Sequence, residues 1–209
     1  WSVLTRPIMA DMGFTLSQTT WTFSLAILML GLSAGFLGSF AEKIGPKKSG
    51  LLAMLFWVTG LFGTAYALSI HNLTLLYLFY GIIGGIGLGI GYITPVSTLV
   101  KYFPNRPGFA TGLAIMGFGF ASLIAGPLMQ YLVAQVGLID TFIILGVIYL
   151  AIMGASSLYL KAPQPKHSTR TTKDRSTMYV HTYGMLANDA MKTWQFGALW
   201  WVFFINITC

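Results

Sequence analysis

The chain has 209 residues and a net charge of +7, yet only 8% of its residues are charged and 56% are hydrophobic. Soluble domains carry about 25% charged residues, so this chain cannot cover a water-soluble fold of its size. A mean hydropathy of +0.73 points instead to lipid, and the single cysteine, Cys209, excludes a disulfide scaffold or a cysteine-based metal site.

The chain opens at Trp1 in what reads as the end of a helix. The first complete apolar run, 19–41, follows an N-cap expected at Ser17 and stops at the charged turn Glu-Lys-Ile-Gly-Pro-Lys-Lys-Ser. Runs at 50–69 and 73–99 come next, separated by the turn Ser-Ile-His-Asn. Residues 107–135, entered through Pro104-Asn105-Arg106-Pro107, and residues 140–160 complete five spans. Each approaches the ~20 residues that a helix needs to cross about 30 Å of hydrocarbon. Segment 161–193 is different: it is basic, polar and Pro-containing, as expected of a flexible linker, and its last part, 178–193, has the alternation of an amphipathic surface helix. From residue 194 a further apolar run reaches Cys209 with no polar terminator. The expected organisation is a membrane bundle over 1–160 with a truncated first helix, a linker over 161–193, and the start of a seventh helix over 194–209.

The basic residues sort by loop. Lys43, Lys47, Lys48, Lys101, Arg106 and the six Lys and Arg of 161–193 fall on one side, and Arg6 alone on the other, with Asp11, His71 and Asp140. The positive-inside rule makes loops 42–49, 101–108 and 161–193 cytoplasmic. The positive charge is therefore a topology signal, and nucleic acid is not an expected partner. His71, His167 and His181 all fall in loops, so no metal or cofactor is expected. An intramembrane enzyme would need a Ser/His, paired-Asp or metal group at membrane depth, and a channel a re-entrant filter; the complete spans supply neither.

Residues 7–38 laid on 95–126, an offset of 88, match at Pro7/Pro95, Leu25/Leu113, Ala26/Ala114, Ile27/Ile115, Gly31/Gly119 and Gly38/Gly126. One copy surrounds an outer loop and the other an inner loop, so the two have opposite topology. Inverted three-helix repeats are a transporter feature, with solute sites near the repeat interface.

The run Gly38-Ser39-Phe40-Ala41-Glu42-Lys43-Ile44-Gly45-Pro46-Lys47-Lys48 resembles the major facilitator signature between the second and third helices. Glu42 stands where Asp is usual, and Pro46 where a basic residue is usual. The resemblance implies an all-α membrane protein: a six-helix bundle of 3+3 inverted repeats, present as part of a twelve-helix transporter. It also implies that Glu42, with Lys43, Lys47 and Lys48, takes part in closing the cytoplasmic side, while Gly38 permits close helix contact and Gly45 a tight turn. Three narrower stretches resemble the oxalate/formate antiporter family. These are Trp1-Ser2-Val3-Leu4 with Arg6-Pro7, Tyr102-Phe103-Pro104 with Gly108-Phe109-Ala110-Thr111-Gly112, and Met191-Lys192-Thr193-Trp194-Gln195-Phe196. They imply a small carboxylate solute, such as oxalate, formate, pyruvate or lactate, moved by exchange or with protons. They also imply the inner membrane of a prokaryote. A sugar or drug carrier of the same fold is the alternative; Gly126-Pro127, nine residues after Gly117, has a trace of the drug-exporter antiporter motif.

The fourth helix is the most unusual. Gly81, Gly85 and Gly89 are spaced four apart, as are Gly87 and Gly91, which permits close helix approach, and Pro95 removes a backbone hydrogen bond. Tyr92 lies among these glycines, where a phenol needs a partner and a carboxylate accepts well. By resemblance, Tyr92 belongs to the solute pathway, Phe118 stands where oxalate carriers have a second tyrosine, and Thr20 stands where they have an amide. Thr94, Ser97 and Trp1 complete the expected pathway residues. The complete spans carry no cation, so the resemblance places the compensating Lys or Arg, along with the remaining solute ligands, in the missing C-terminal half of the chain.

Overall fold

The computed structural model describes residues 1–160, the side chain of Phe118 excepted; the expected linker and seventh helix lie outside the described residues. The described residues form helices joined by short turns: α1 (Ser2–Met12), α2 (Leu16–Ile44), α3 (Pro46–Ser69), α4 (Leu73–Tyr102), α5 (Pro107–Val136) and α6 (Leu138–Tyr159). Five of them, α2 to α6, are long and apolar enough to cross a membrane.

The start of α2 corrects the sequence expectation. Thr15, not Ser17, is the N-cap: its hydroxyl accepts from the Gln18 backbone N–H while the Gln18 side chain takes the Thr15 N–H. That reciprocal box needs a Glu or Gln three residues on, and Ser17 has Thr20 there. At the other end, Gly45 is at once the C-cap of α2 and the N-cap of α3, with φ +83°. A left-handed backbone favours glycine, and Pro46 then fits the first helical position, where no N–H is needed. The expected eight-residue turn thus contracts to one residue. Lys43 falls in the last turn of α2, where a cation suits the helix dipole, but Lys47 and Lys48 fall in the first turn of α3, where it does not. Their presence there is consistent with a topological purpose rather than helix stability.

Gly137 repeats the device between α5 and α6 with φ +87°. The two long helices that precede these glycines have 29 and 30 residues, and each follows a helix with an internal proline, Pro7 in α1 and Pro95 in α4. The inverted repeat read from the sequence therefore has a geometric counterpart in element lengths and turn conformation.

α4 is not a uniform helix. It opens as α-helix at Leu73–Leu76, with Asn72 capping Leu75 N–H, widens into a π-helix at Tyr77–Gly84, and returns to α-helix at Gly85–Tyr102. The main core lies around this wide segment. Leu4 and Ile8 of α1, Leu61, Ala65 and Leu68 of α3, Leu76 and Tyr80 of α4, and Leu138, Phe142 and Leu145 of α6 are all buried together. The Tyr80 ring sits 4.4 Å from Trp1, 5.9 Å from Trp57 and 6.4 Å from Phe142. Between α2 and α5 the contrast is with this core: Trp21, Ile27, Leu28, Phe36, Phe120, Leu123 and Ile124 are exposed large apolar side chains, which only lipid or another membrane-embedded surface can cover.

Candidate solute pathway and cytoplasmic closure

The glycines of α4 face two neighbours. A Cβ at Gly81 would lie 2.9 Å from Leu25 Cδ2, and one at Gly85 would lie 2.7 Å from both Ala26 O and Met29 Cβ, so this row meets α2. Gly89 continues it against Leu30 O and Ser33. The second row meets α3: a Cβ at Gly87 would lie 2.6 Å from Trp57 N, and one at Gly91 3.6 Å from Ala53 Cβ. Gly60 of α3 answers from the other side, 2.9 Å from Gly84 Cα by the same measure. The close contact expected of Gly38 falls instead on Gly85 and Gly89: a Cβ at Gly38 meets only Ile93 Cγ1, at an ordinary 3.7 Å. The glycine seams bring α4 against α2 and α3 with little side chain between backbones, which favours dispersion contact in lipid.

At the end of that seam, Glu42 of α2 and Lys101 of α4 form an ion pair, with Nζ 3.3 Å from Oε1. Both side chains are about half exposed. Beneath the pair is a small cavity of about 70 Å³ lined by Ala41, Glu42, Gly45, Pro46, Thr94, Ser97, Thr98 and Lys101. Thr94 and Ser97 were expected along the solute pathway. The structure instead encloses Thr94 between α3 and α4, 4% exposed, with its hydroxyl 2.7 Å from Ile90 O and 2.7 Å from Ser49 Oγ. Its only hydrogen is committed within the bundle, so it has no donor left for a solute in this conformation. Ser97, half-buried, donates to Thr94 O at 3.3 Å. Tyr92, one turn earlier on α4, is half-buried.

Trp1 and Thr20 gather elsewhere. With Ser2, Thr5, Arg6, Met9, Leu16 and Phe23 they line an open cavity of about 730 Å³ between α1 and α2. Thr20 is exposed there and donates to Leu16 O at 2.8 Å. The indole N–H of Trp1 is buried with no hydrogen-bond acceptor among the described residues. Arg6 enters the site only through the structure: in the sequence it counts as one outer charge, and only the α1 helix turns it onto the same cavity as Trp1 and Thr20. Phe118 lies on α5, its side chain outside the described residues. Of the expected pathway residues, Trp1 and Thr20 thus lie at an open cavity near the α1–α2 turn, and Thr94 and Ser97 at the enclosed end of the α4 seam. Among the described residues, no group of His, Cys, Asp or Glu is placed to hold a metal.

The topology gives a direct test of which end is which. Single cysteines at 47 and 104 are expected to react with an impermeant thiol reagent from the same side of the membrane, and one at 71 only from the other. All three positions are exposed turn or helix-end residues. Labelling of 71 and 104 from one side would remove a span between them.

Comparison with known proteins completes the picture. A family model described as the Major Facilitator Superfamily matches residues 1–209. The chain is 31% identical over 172 residues to the uncharacterized MFS-type transporter YhjX of Escherichia coli, covering 82% of this chain and 42% of that protein. It is 32% identical over 190 residues to human monocarboxylate transporter 12, covering 85% and 35%. It is 22% identical over 246 residues to apicoplast pyruvate carrier 1 of Toxoplasma gondii, covering 91% and 44%. The chain spans less than half the length of each of these relatives.

Proposed function

The chain belongs to the major facilitator superfamily, a family of membrane transporters rather than enzymes, and from that premise we propose that the full-length protein carries a small monocarboxylate by alternating access. The proposed mode is exchange or proton coupling. Residues 1–160 form the N-terminal bundle in this reading, with 161–193 as a cytoplasmic linker and 194–209 as the start of a seventh helix. Lys47, Lys48 and Arg106 face the cytoplasm, which for a prokaryotic cell makes the membrane the inner one.

The observation that carries the solute class is the cavity between α1 and α2. It exposes the Arg6 guanidinium, and no acidic side chain is among the described residues that line it. A guanidinium with no carboxylate beside it fits an anion such as a carboxylate, which only accepts. The printed names of relatives, monocarboxylate transporter and pyruvate carrier, favour the same class. Phe118 and Thr20, where oxalate carriers have a tyrosine and an amide, favour a monocarboxylate over oxalate. The Glu42–Lys101 pair supports alternating access: it ties α2 to α4 at the cytoplasmic end and has to be broken for that end to open.

The test is counterflow in proteoliposomes of the full-length protein, with labelled pyruvate, lactate, formate, oxalate and a neutral sugar. Exchange of the monocarboxylates is expected, without exchange of the sugar. Arg6→Gln is expected to raise KM for the carboxylate about tenfold, the lower end for losing a charged hydrogen bond at an open site, with Tyr92→Phe raising it less. Sugar exchange, or an unchanged KM in Arg6→Gln, would count against the carboxylate reading. The complete sequence adds a second check, since one or two membrane-embedded Lys or Arg are expected in the second bundle, facing Tyr92.

A further inference from the structure

The hydroxyl of Thr94 carries one hydrogen, and the Ile90 carbonyl 2.7 Å away, one turn back on α4, receives it. Ser49 Oγ lies 2.7 Å from the same Thr94 oxygen. Ser49 must therefore be the donor in that contact, and a directed chain runs from Ser49 to Thr94 to the Ile90 carbonyl. Ser49 is 0% exposed and Thr94 4%, so the chain sits where a hydrogen bond is electrostatically strong and each link polarises the next.

Its location is mechanically special. Pro95 follows Thr94, lacks an N–H, and so cannot donate to the Gly91 carbonyl, which leaves the α4 ladder weakest at this point. Thr98 and Ser97 both donate to the Thr94 carbonyl, at 2.6 Å and 3.3 Å, concentrating hydroxyl groups around the same weak turn. Ser49 itself lies in the first turn of α3, directly after the one-residue bend at Gly45. The next residue, Gly50, packs on α6, where a Cβ would come within 2.6 Å of Ser157 Oγ. The start of α3 is therefore wedged between α4 and α6, and Ser49 is its polar link to α4.

We propose that Ser49 is a positioning residue: its hydroxyl ties α4 at the proline turn to the first turn of α3, and so holds the following two turns, with Lys101, against α2. The proposal rests on reading the Glu42–Lys101 pair as part of the cytoplasmic closure, and it adds a residue that touches neither charge. Releasing Ser49 leaves α4 free to flex at Pro95, and the cytoplasmic end opens more often.

The experiment reads opening directly, without a solute. In the full-length protein with its other cysteines replaced, Ala41→Cys provides a buried reporter lining the cavity beneath the ion pair. An impermeant thiol reagent is applied from the side that carries Lys47 and Lys48. Ser49→Ala is expected to raise the labelling rate roughly fivefold, the factor expected from losing one buried hydrogen bond. Thr94→Val should do the same, and the double variant no more than either alone. Ser49→Thr, which keeps the hydroxyl, should return the rate close to that of the parent. An Ala65→Cys control, buried in the main core, should stay unlabelled in every background, so that a misfolded variant is recognised. Unchanged labelling in Ser49→Ala, or a rate in Ser49→Thr as high as in Ser49→Ala, overturns the proposal. Glu42→Gln separates the two readings. If it opens the cavity while Ser49→Ala does not, the closure stands and the positioning role falls. If Ser49→Ala opens it while Glu42→Gln does not, the positioning role stands and the ion pair is not the closure.

Discussion

Replacing Gly89 with alanine is expected to cost the protein most of its folded yield. A Cβ at this position would overlap the Ser33 hydroxyl and come within 2.5 Å of the Leu30 carbonyl and 3.1 Å of the Ala34 nitrogen. Two of these three obstacles are backbone atoms of α2, which cannot turn aside as a side chain can. Ser33 also donates to Leu30 O at 3.1 Å and reaches Ile86 O at 3.4 Å, so moving it breaks a link between α2 and α4. Relief requires the helices to separate along a seam that is also close-packed at Gly81 and Gly85. Overpacking a well-filled site costs about 1–3 kcal/mol, and a backbone obstacle places this one near the top of that range. For a domain of this size that corresponds to a fall of roughly 6–12 °C in the apparent unfolding midpoint in detergent. Gly35→Ala is the control, since nothing lies within 4 Å of its Cβ position. Equal midpoints for the two variants would show that the α2–α4 seam is looser than described.

The second large effect is functional. Glu42→Lys places a second ammonium beside Lys101, so the variant loses an attraction and gains a repulsion. Both side chains are near half exposed, at 50% and 46%, and such a pair contributes only about 0–1 kcal/mol to stability. The unfolding midpoint should therefore hardly move. In the closure proposed for this pair, the balance between closed and open ends is more sensitive, because about 1.4 kcal/mol between two conformations is a factor of ten in their ratio. Transport by the full-length protein is expected to fall about tenfold, with the defect shrinking at high salt as the repulsion is screened. The exchanged pair, Glu42→Lys with Lys101→Glu, should recover most of the rate. If the single reversal transports normally, or the exchanged pair stays defective, the contact does not act in closure.

Much of the architecture was legible because lipid leaves few choices. Apolar runs of membrane length had to be helices, and loop lysines had to lie on one side. The two glycine rows of α4 were visible for a related reason: spacing of four residues sets one helix face, whatever packs against it. What the sequence hid were relations between distant residues and local backbone departures. Nothing in the spacing of Glu42 and Lys101 announces a contact across 59 positions. Thr94 read as a solute ligand because a hydroxyl in an apolar helix invites a function, and only its contact with the Ile90 carbonyl shows the hydrogen already used. Arg6 looked like a loop charge because its short helix α1 is not apolar enough to read as a span. The π-helix at Tyr77–Gly84 had no sequence signal at all, since its glycines serve equally well in a regular helix. The bounds of α2 moved because capping is decided by two residues together, Thr15 and Gln18, rather than by the nearest serine.

The single-residue bends at Gly45 and Gly137 have a consequence for force. A loop of ten residues is a slack cord, and one helix can tilt without its successor noticing. One glycine between two helices of 22 residues or more is a much shorter tether. A tilt of α2 is then passed on to α3 or spent on the backbone angles of one residue. The connections at 70–72 and 103–106 are the compliant ones. Through the backbone, α2 is thus coupled to α3, and α5 to α6, more directly than α4 is to either of its neighbours in the chain.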